Sequence, residues 1–334
     1  MKINECGEFG FIDLIKENTI ADPDSVVFGI GDDCAVYKAG PHTDQVITTD
    51  MMVEDIHFSA RTTEPFHVGY RLGAANISDI AAMGASPKQA VISIALPDTF
   101  DTEYGEKLFR GIKQIFQEFK VNLLGGDTVK TKGPLIVNLT VVGEVPSGQA
   151  VYRSGAQPGD VVFVTNNVGS AAAGLYALLH DMKGYETIKK AHQMPVPQVQ
   201  LGTALRINGV HALNDISDGV SSELNEIANA SAVDIYVDES KLPLDKELLQ
   251  LSQEASVDPY QFAWQGGEDF QLIGTMSRAQ YEEFSQKESL TVIGHVAQRD
   301  NLNEDGNKLK GRLFVTDVRG NTQLVQAKGY NHFK

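Results

Sequence analysis

Two adjacent aspartates, Asp32 and Asp33, stand in the glycine turn Gly29-Ile30-Gly31-Asp32-Asp33-Cys34-Ala35, directly after the apolar run Val26-Val27-Phe28. Neighbouring carboxylates repel, so the pair calls for a cation. Asp50, Asp79, Asp127, Asp215 and Asp218 each recur at the end of an apolar run or on an apolar helix face, which points to one acidic site gathered from distant segments. Oxygen ligands without His or Cys companions suit Mg²⁺ or Mn²⁺ rather than zinc or copper. Mg²⁺ is usually held by few carboxylates together with substrate phosphates, so many separate aspartates suggest several ions on a polyphosphate and make phosphoryl transfer the leading reaction class.

The elements that must position these residues follow from periodicity and turn chemistry. Residues 26–28 and 45–49 read as strands, the second ending at Thr48-Thr49-Asp50, where a strand end would deliver hydroxyls and a carboxylate to a ligand. Residues 65–83 read as a helix with Pro65 in its first turn and Leu72, Asn76, Asp79 and Met83 along one face. Asp79 then either meets a cation or polar network, or the helix turns it to water. Residues 89–96 form a predicted strand and 102–119 a helix with Thr102 as N-cap and Leu108, Ile112, Ile115 and Phe119 as its stripe. The run 121–124 enters Gly125-Gly126-Asp127-Thr128, whose glycines fit close approach to a ligand or a plain tight turn, and 134–145 is a further strand.

Turn clusters at Pro146-Ser147-Gly148 and Gln157-Pro158-Gly159-Asp160 predict a boundary, giving domains 1–147 and 148–334; a chain of 334 residues fits about two domains of ~150 residues each. The second half alternates predicted strands (161–164, 234–237, 270–274, 290–296, 312–315) with helices (171–179, 198–207, 220–230, 246–254, 278–288), an α/β pattern. Ser217 and Asp218 in Asp215-Ile216-Ser217-Asp218-Gly219 could cap the helix that follows; Asp215 is not needed for that. The first 25 residues read as a lead-in with a short helix at Phe11, Leu14 and Ile15, and Asp300 to Gly306 as a surface turn, because an EF-hand frame there places Arg312 where a glutamate is required.

Composition narrows the class. A formal net charge of −16, from 44 acidic against 28 basic residues, argues against nonspecific nucleic-acid binding. Two cysteines, Cys6 and Cys34, offer no disulfide framework or zinc pattern. The lack of a signal-peptide layout and of ~18 consecutive apolar residues leads us to expect a cytoplasmic protein. No P-loop is present, and Asp269-Phe270-Gln271 is not the Asp-Phe-Gly of protein kinases, so an ATP site here must be of another type.

Six motifs in order, Gly29-Ile30-Gly31-Asp32-Asp33, Thr48-Thr49-Asp50, Asn76-Ile77-Ser78-Asp79-Ile80-Ala81-Ala82-Met83-Gly84-Ala85, Gly125-Gly126-Asp127-Thr128, Asp215-Ile216-Ser217-Asp218-Gly219 and Gly266-Gly267-Glu268-Asp269, make the chain resemble the thiamine-monophosphate kinase family. The match runs from Gly7-Glu8-Phe9 to Lys328-Gly329-Tyr330. The resemblance implies an α/β (α+β) two-domain fold of the aminoimidazole ribonucleotide synthetase and selenophosphate synthetase type, with an N-terminal sheet that forms a homodimer interface and a C-terminal α/β domain. It implies ATP as co-substrate, several Mg²⁺ ions, and conversion of thiamine monophosphate to thiamine diphosphate, the final step in making that cofactor. Carried over by motif, Asp33, Thr48, Thr49, Asp50, Asp79, Asp127, Asp215 and Asp218 would hold metal, with Asp50 and Asp127 most critical; Asp33 would bridge ions with Asp79, leaving Asp32 to the turn or to a supporting role. Gly126, Asp127, Arg153 and Ser217 would contact ATP, and His57, Glu268 and Tyr330 the substrate. Without the resemblance, His57 and Tyr330 read as ordinary residues. The sequence departs from the commoner pattern at Phe270-Gln271, where Tyr-Glu often stands, and at Asn331, where Asp is frequent. A phosphate monoester, with its second pKa near ~6, needs no general base as acceptor, so direct in-line transfer is expected. The rival readings are a sister synthetase, a metal-dependent phosphatase and a non-catalytic nucleotide-binding scaffold.

Overall fold

In the computed structural model, residue 24 and residues 26–29, 31–286, 288–299 and 310–327 are described. The expected helix in the lead-in, the Asp300 to Gly306 turn and Tyr330 lie outside the described residues.

The first half builds β1 (Val26–Phe28), β2 (Ala35–Lys38), β3 (Thr43–Val53), α1 (Pro65–Ala82), β4 (Ser86–Pro97), α2 (Thr102–Phe119), β5 (Asn122–Thr131) and β6 (Ile136–Pro146). They make a six-stranded sheet in the order β1-β2-β3-β6-β4-β5, antiparallel except for the parallel pair β4 and β5. One face is covered by α1 and α2. Val68, Leu72, Ile77 and Ile80 of α1 are fully buried, each contributing about 2 kcal/mol by removal from water. The stripe of α2 is Leu108, Ile112, Ile115 and Phe116, and its N-cap is Asp101 rather than Thr102, because the Asp101 carboxylate accepts the Glu103 amide.

The second half adds β7 (Val161–Thr165), α3 (Ser170–Leu179), α4 (Glu186–Gln193), α5 (Val199–Ile207), β8 (Ala212–Asp215), α6 (Val220–Ser231), β9 (Asp234–Asp238), α7 (Lys246–Ala255), α8 (Pro259–Gln265), β10 (Leu272–Met276), α9 (Arg278–Phe284), β11 (Leu290–Ala297), β12 (Arg312–Thr316) and β13 (Thr322–Val325). Its seven strands run in the order β13-β12-β9-β11-β7-β10-β8. One continuous core joins α1 and the first sheet to Phe163, Leu213 and Leu272 of the second, so α1 lies between the two sheets. A second core packs α6 and α8 against the other face of that sheet.

Two strands differ from their sequence reading in ways that bear on the site. β3 does not stop at residue 49 but continues to Val53, and β5 continues through Gly125-Gly126-Asp127-Thr128 after a shift in its register with β4 between Leu123 and Gly125. Gly126 permits this, since a Cβ there would lie 1.9 Å from the Ile92 carbonyl oxygen of β4. Gly126 therefore serves strand pairing, and the segment is not a tight turn.

Candidate active site

Helix α1 carries polar residues that reach both halves of the chain: Asp79 and Asn76 meet β3, Ser78 meets β8, and Arg71 meets the segment at Glu268. Thr48 Oγ1 of β3 donates to Asp79 Oδ2 at 2.5 Å, and the Asp50 amide donates to Asn76 Oδ1 at 3.2 Å. Ser78 Oγ donates to Asp215 Oδ2 at 2.6 Å, which joins the helix to the last residue of β8. Arg71 reaches Glu268 in the second half. The sequence alternatives for Asp79 resolve toward the polar network.

Asp33, Asp79 and Asp215 each place a carboxylate oxygen within 4.8 Å of the other two. Burial, and then the charges of Asp50, Asp215 and Asp33, push the Asp79 carboxyl well above the usual range; burial and then Asp33 do the same to Asp215. Asp33 is also raised by burial although Arg153 pulls it down, and Asp50 is raised to about 6 by burial and Asp33. Asp33 Oδ2 and Asp215 Oδ1 are buried without a hydrogen-bond partner among the described residues. Three clustered carboxylates with buried, unpartnered oxygens among them fit a hard divalent cation, and the all-oxygen set does not suit a zinc-type site. Asp33, Asp79 and Asp215 would hold it, with Asp50 beside them.

Arg153 is the counter-charge that this chain supplies. Its guanidinium ion-pairs with Asp33 and with Glu226 Oε2 at 3.1 Å, its Nε donates to Asn214 Oδ1 at 3.1 Å, and its amide donates to Asp32 Oδ2 at 3.0 Å. Asp32 thus braces the turn, and its carboxyl is raised to about 7 by burial and by Asp33. Glu223 and Glu226 of α6, unforeseen from the sequence, complete this region. Buried Glu223 accepts from Asn214 Nδ2 at 2.8 Å and from the Asp218 amide at 2.9 Å.

The Gly-Gly-Glu-Asp segment lies against the Asp-Ile-Ser-Asp turn. The amides of Glu268 and Phe270 donate to the Ser217 and Ile216 carbonyls at 2.8 and 3.0 Å. A Cβ on Gly267 would sit 2.0 Å from the Ser217 carbonyl oxygen, so Gly267→Ala must push the two turns apart. We expect a loss of about 2 kcal/mol in stability, measured by denaturant unfolding, with reduced activity. Asp269 is spent on structure: it accepts the Gly169 and Ala171 amides at 2.5 and 2.9 Å and so caps α3. Glu268, held at φ 64°, is left to face the first half, where Arg71 donates to both its oxygens and His57 supplies a carbonyl to the same guanidinium.

Residues 31–145 match the family described as AIR synthase related protein, N-terminal domain, and residues 157–304 its C-terminal domain. The chain is 39% identical to the thiamine-monophosphate kinase of Bacillus subtilis over 98% of this chain and 99% of that one, and 33% identical to that of Aquifex aeolicus over the whole of both. The chain belongs to the thiamine-monophosphate kinase family. The solved structure of AaThiL complexed with AMPPCP and TMP superposes with a TM-score of 0.84 at 32% identity, covering 99% of each chain. Hydrogenase maturation protein HypE in complex with ATP, at 18% identity and a TM-score of 0.69, shares the fold.

Of the positions carried over from the thiamine-monophosphate kinase motifs, the chain gathers Asp33, Thr48, Asp50, Asp79 and Asp215 in one place. It also brings His57 and Glu268 onto a shared guanidinium. Thr49 departs from its expected place. Side chains alternate along β3, so with Thr48 and Asp50 facing α1, Thr49 points to the opposite sheet face, where its hydroxyl donates to the Leu139 carbonyl at 2.9 Å. Asp127 pairs with exposed Ser93 on that same outer face, three strands across from Asp50, about 14 Å at the usual strand spacing. Within one chain it does not join the other carboxylates. Ser217 and Asp218 do not cap α6, whose N-cap is Gly219; the Ser217 hydroxyl lies 3.4 Å from Glu223.

Proposed function

We propose that this chain catalyses ATP-dependent phosphorylation of thiamine monophosphate to thiamine diphosphate. The observation that carries the reading is the group formed by Asp33, Asp79 and Asp215, each with a carboxylate oxygen within 4.8 Å of the other two, in which Asp33 Oδ2 and Asp215 Oδ1 are buried without a hydrogen-bond partner among the described residues. The full-length similarity to thiamine-monophosphate kinases supports it. Mg²⁺ bound there would neutralise phosphate oxygens as two anionic reactants approach. Asp33, Asp79 and Asp215, with Asp50 and the Thr48 hydroxyl, would hold it. Arg153 supplies a fixed positive charge beside this group and is itself positioned by Glu226 and Asn214. Ser217 and the edge-strand residues Gly126 and Asp127 are assigned to the nucleotide. His57 and Glu268 are assigned to thiamine monophosphate, which is its own nucleophile through a phosphate oxygen already ionised at neutral pH.

The same reading includes a homodimer. Met51, Val91, Leu124 and Val129 are exposed on the first sheet and its edge strand, an apolar patch that a second copy would cover together with Thr49 and Asp127. Residues 1–147 would then provide assembly and metal ligation, and residues 148–334 would close over the reactants. A cytoplasmic setting is supported by the scarcity of cysteine; no helix among the described residues is long and apolar enough to cross a membrane.

The test is a coupled assay with ATP, thiamine monophosphate and Mg²⁺. Thiamine diphosphate and ADP should form one for one. Release of inorganic phosphate without thiamine diphosphate would replace the reading by a phosphatase. Glu268→Ala should raise the KM for thiamine monophosphate at least ~10-fold, as expected for loss of a charged contact, and leave that for ATP unchanged. An unchanged substrate KM would remove Glu268 from the pocket.

A further inference from the structure

A buried cluster of polar side chains surrounds Glu268, and the reaction as described does not use it. Arg71, in the middle of α1, is 1% exposed. Its Nη2 donates to Glu268 Oε1 and Oε2 at 2.6 and 2.5 Å and to the His57 carbonyl at 3.2 Å; Nη1 lies 3.5 Å from Thr63 Oγ1. His192 of α4 is buried with Nδ1 3.7 Å from Glu268 Oε2. Arg71 Nε, His192 Nε2 and His67 Nδ1 are buried without a hydrogen-bond partner among the described residues.

Burying a guanidinium is costly, and an apolar side chain of similar volume would pack α1 against the second half at least as well. What an apolar residue could not do is hold a carboxylate. Glu268 sits on a left-handed backbone that disfavours side chains, yet 29% of its side chain remains exposed. One guanidinium nitrogen contacting both oxygens from the buried side fixes the carboxylate plane and leaves outward lone pairs for a donor. Arg71 keeps the Glu268 carboxyl below its usual range against the opposing effect of burial. His192 stays neutral, lowered to about 3 by burial and then by Arg71, so it does not neutralise the charge.

We propose that Arg71 and His192 are positioning residues, which orient Glu268 across the junction of the two halves so that its outer edge accepts the cationic, amine-bearing rings of the substrate. The inference rests on the thiamine monophosphate reading above and names the device that sets its selectivity. The phosphate end of the substrate is served by the carboxylate group at Asp33, Asp79 and Asp215; the ring end needs an anion, and Arg71 keeps one in place. Arg71 also makes that anion available only when α1 and the second half are docked.

The experiment uses the full chain and its variants Arg71→Met, Arg71→Lys and His192→Asn, with steady-state kinetics for each substrate from pH 6 to 8 and melting temperatures alongside. Arg71→Met should raise the KM for thiamine monophosphate at least ~10-fold while the KM for ATP stays within ~2-fold. The ratio of that KM to the unsubstituted enzyme's should climb further as pH falls from 8 to 6, because Glu268 loses its counter-charge and takes up a proton, whereas titration of the substrate phosphate and of the acidic site is common to both proteins. Arg71→Lys should recover part of the loss, and His192→Asn should shift the same KM ~3-fold. Equal changes in both KM values, or a lowered melting temperature with an unaltered substrate KM and no pH slope in that ratio, would overturn the proposal. Should Arg71→Met fail to fold, Arg71→Lys decides, and a normal thiamine monophosphate KM in that variant counts against it. An unsubstituted protein that forms no thiamine diphosphate defeats the functional reading itself; an active one with indifferent Arg71 variants defeats only this inference.

Discussion

Asp79→Asn should lower the rate of phosphoryl transfer by at least ~10³-fold while raising the melting temperature of the protein free of divalent cations. The two effects have one origin. Asp79 is one of three carboxylates with oxygens within 4.8 Å of each other, and burial together with Asp50, Asp215 and Asp33 raises its proton affinity. At neutral pH the folded protein must either carry that repulsion or hold protons that the unfolded chain would release. Asparagine keeps the shape, can still accept from Thr48 Oγ1, and offers an amide N–H toward the unpartnered oxygens of Asp33 and Asp215. It removes charge from the folded state without leaving a cavity. A neutral amide is a poor substitute for an anionic ligand to a hard cation, so turnover collapses and the stabilisation conferred by added Mg²⁺ shrinks. Activity within tenfold of the parent, or a fall in melting temperature, would show that Asp79 belongs to a structural network and not to a cation site.

Asp33, Asp79 and Asp215 were legible as a group because each is a carboxylate where an apolar pattern leads one to expect none, and burial then demands a partner. The α/β class was legible from alternating periods, although strand order was not, since pairing depends on contacts far apart in sequence. Thr49 and Asp127 show where local reading stops. Reading β3 as ending at residue 49 treats Thr48, Thr49 and Asp50 as one cluster, but in a continuous strand paired Thr49 to Thr140 the side chains divide between two faces. Asp127 shares the fate of an edge strand whose glycines were ambiguous between turn and close approach. Glu223 and Glu226 were missed because charged residues on a helix are normally assigned to water, and only the docking of Arg153 from the interdomain segment makes them internal. Arg71 was missed for the same reason. Its partner lies 197 residues away, and a basic residue beside Leu72 gives no local sign of burial.

The same electrostatics predict an unusual dependence of stability on pH. Asp50 and Asp32 have folded-state values of about 6 and about 7 against an ordinary 3.8. Below pH 3.8 both states are protonated and neither group matters. Between that point and the folded value the folded protein binds protons that the unfolded chain has released, so stability falls as pH rises. For Asp50 alone the gap corresponds to about 3 kcal/mol. Carboxylates shifted the other way, such as Asp234 between Arg312 and Arg299 or Glu268 on Arg71, lose their contribution only as pH falls toward the ordinary carboxylate range. The window from about pH 4.5 to 7 therefore belongs to the acidic site. The protein stripped of divalent cations should melt at a higher temperature at pH 5.5 than at pH 8. Saturating Mg²⁺ should level or reverse that order, since a cation that must displace protons gains least where protons are abundant, and each site held at 100 times its Kd adds about 2.7 kcal/mol. Calorimetry at the two pH values, with and without Mg²⁺, checks the expectation. An Mg²⁺ shift of equal size at both would mean that the ion binds outside these buried carboxylates, and the assignment of Asp33, Asp79 and Asp215 as its holders would fall with it.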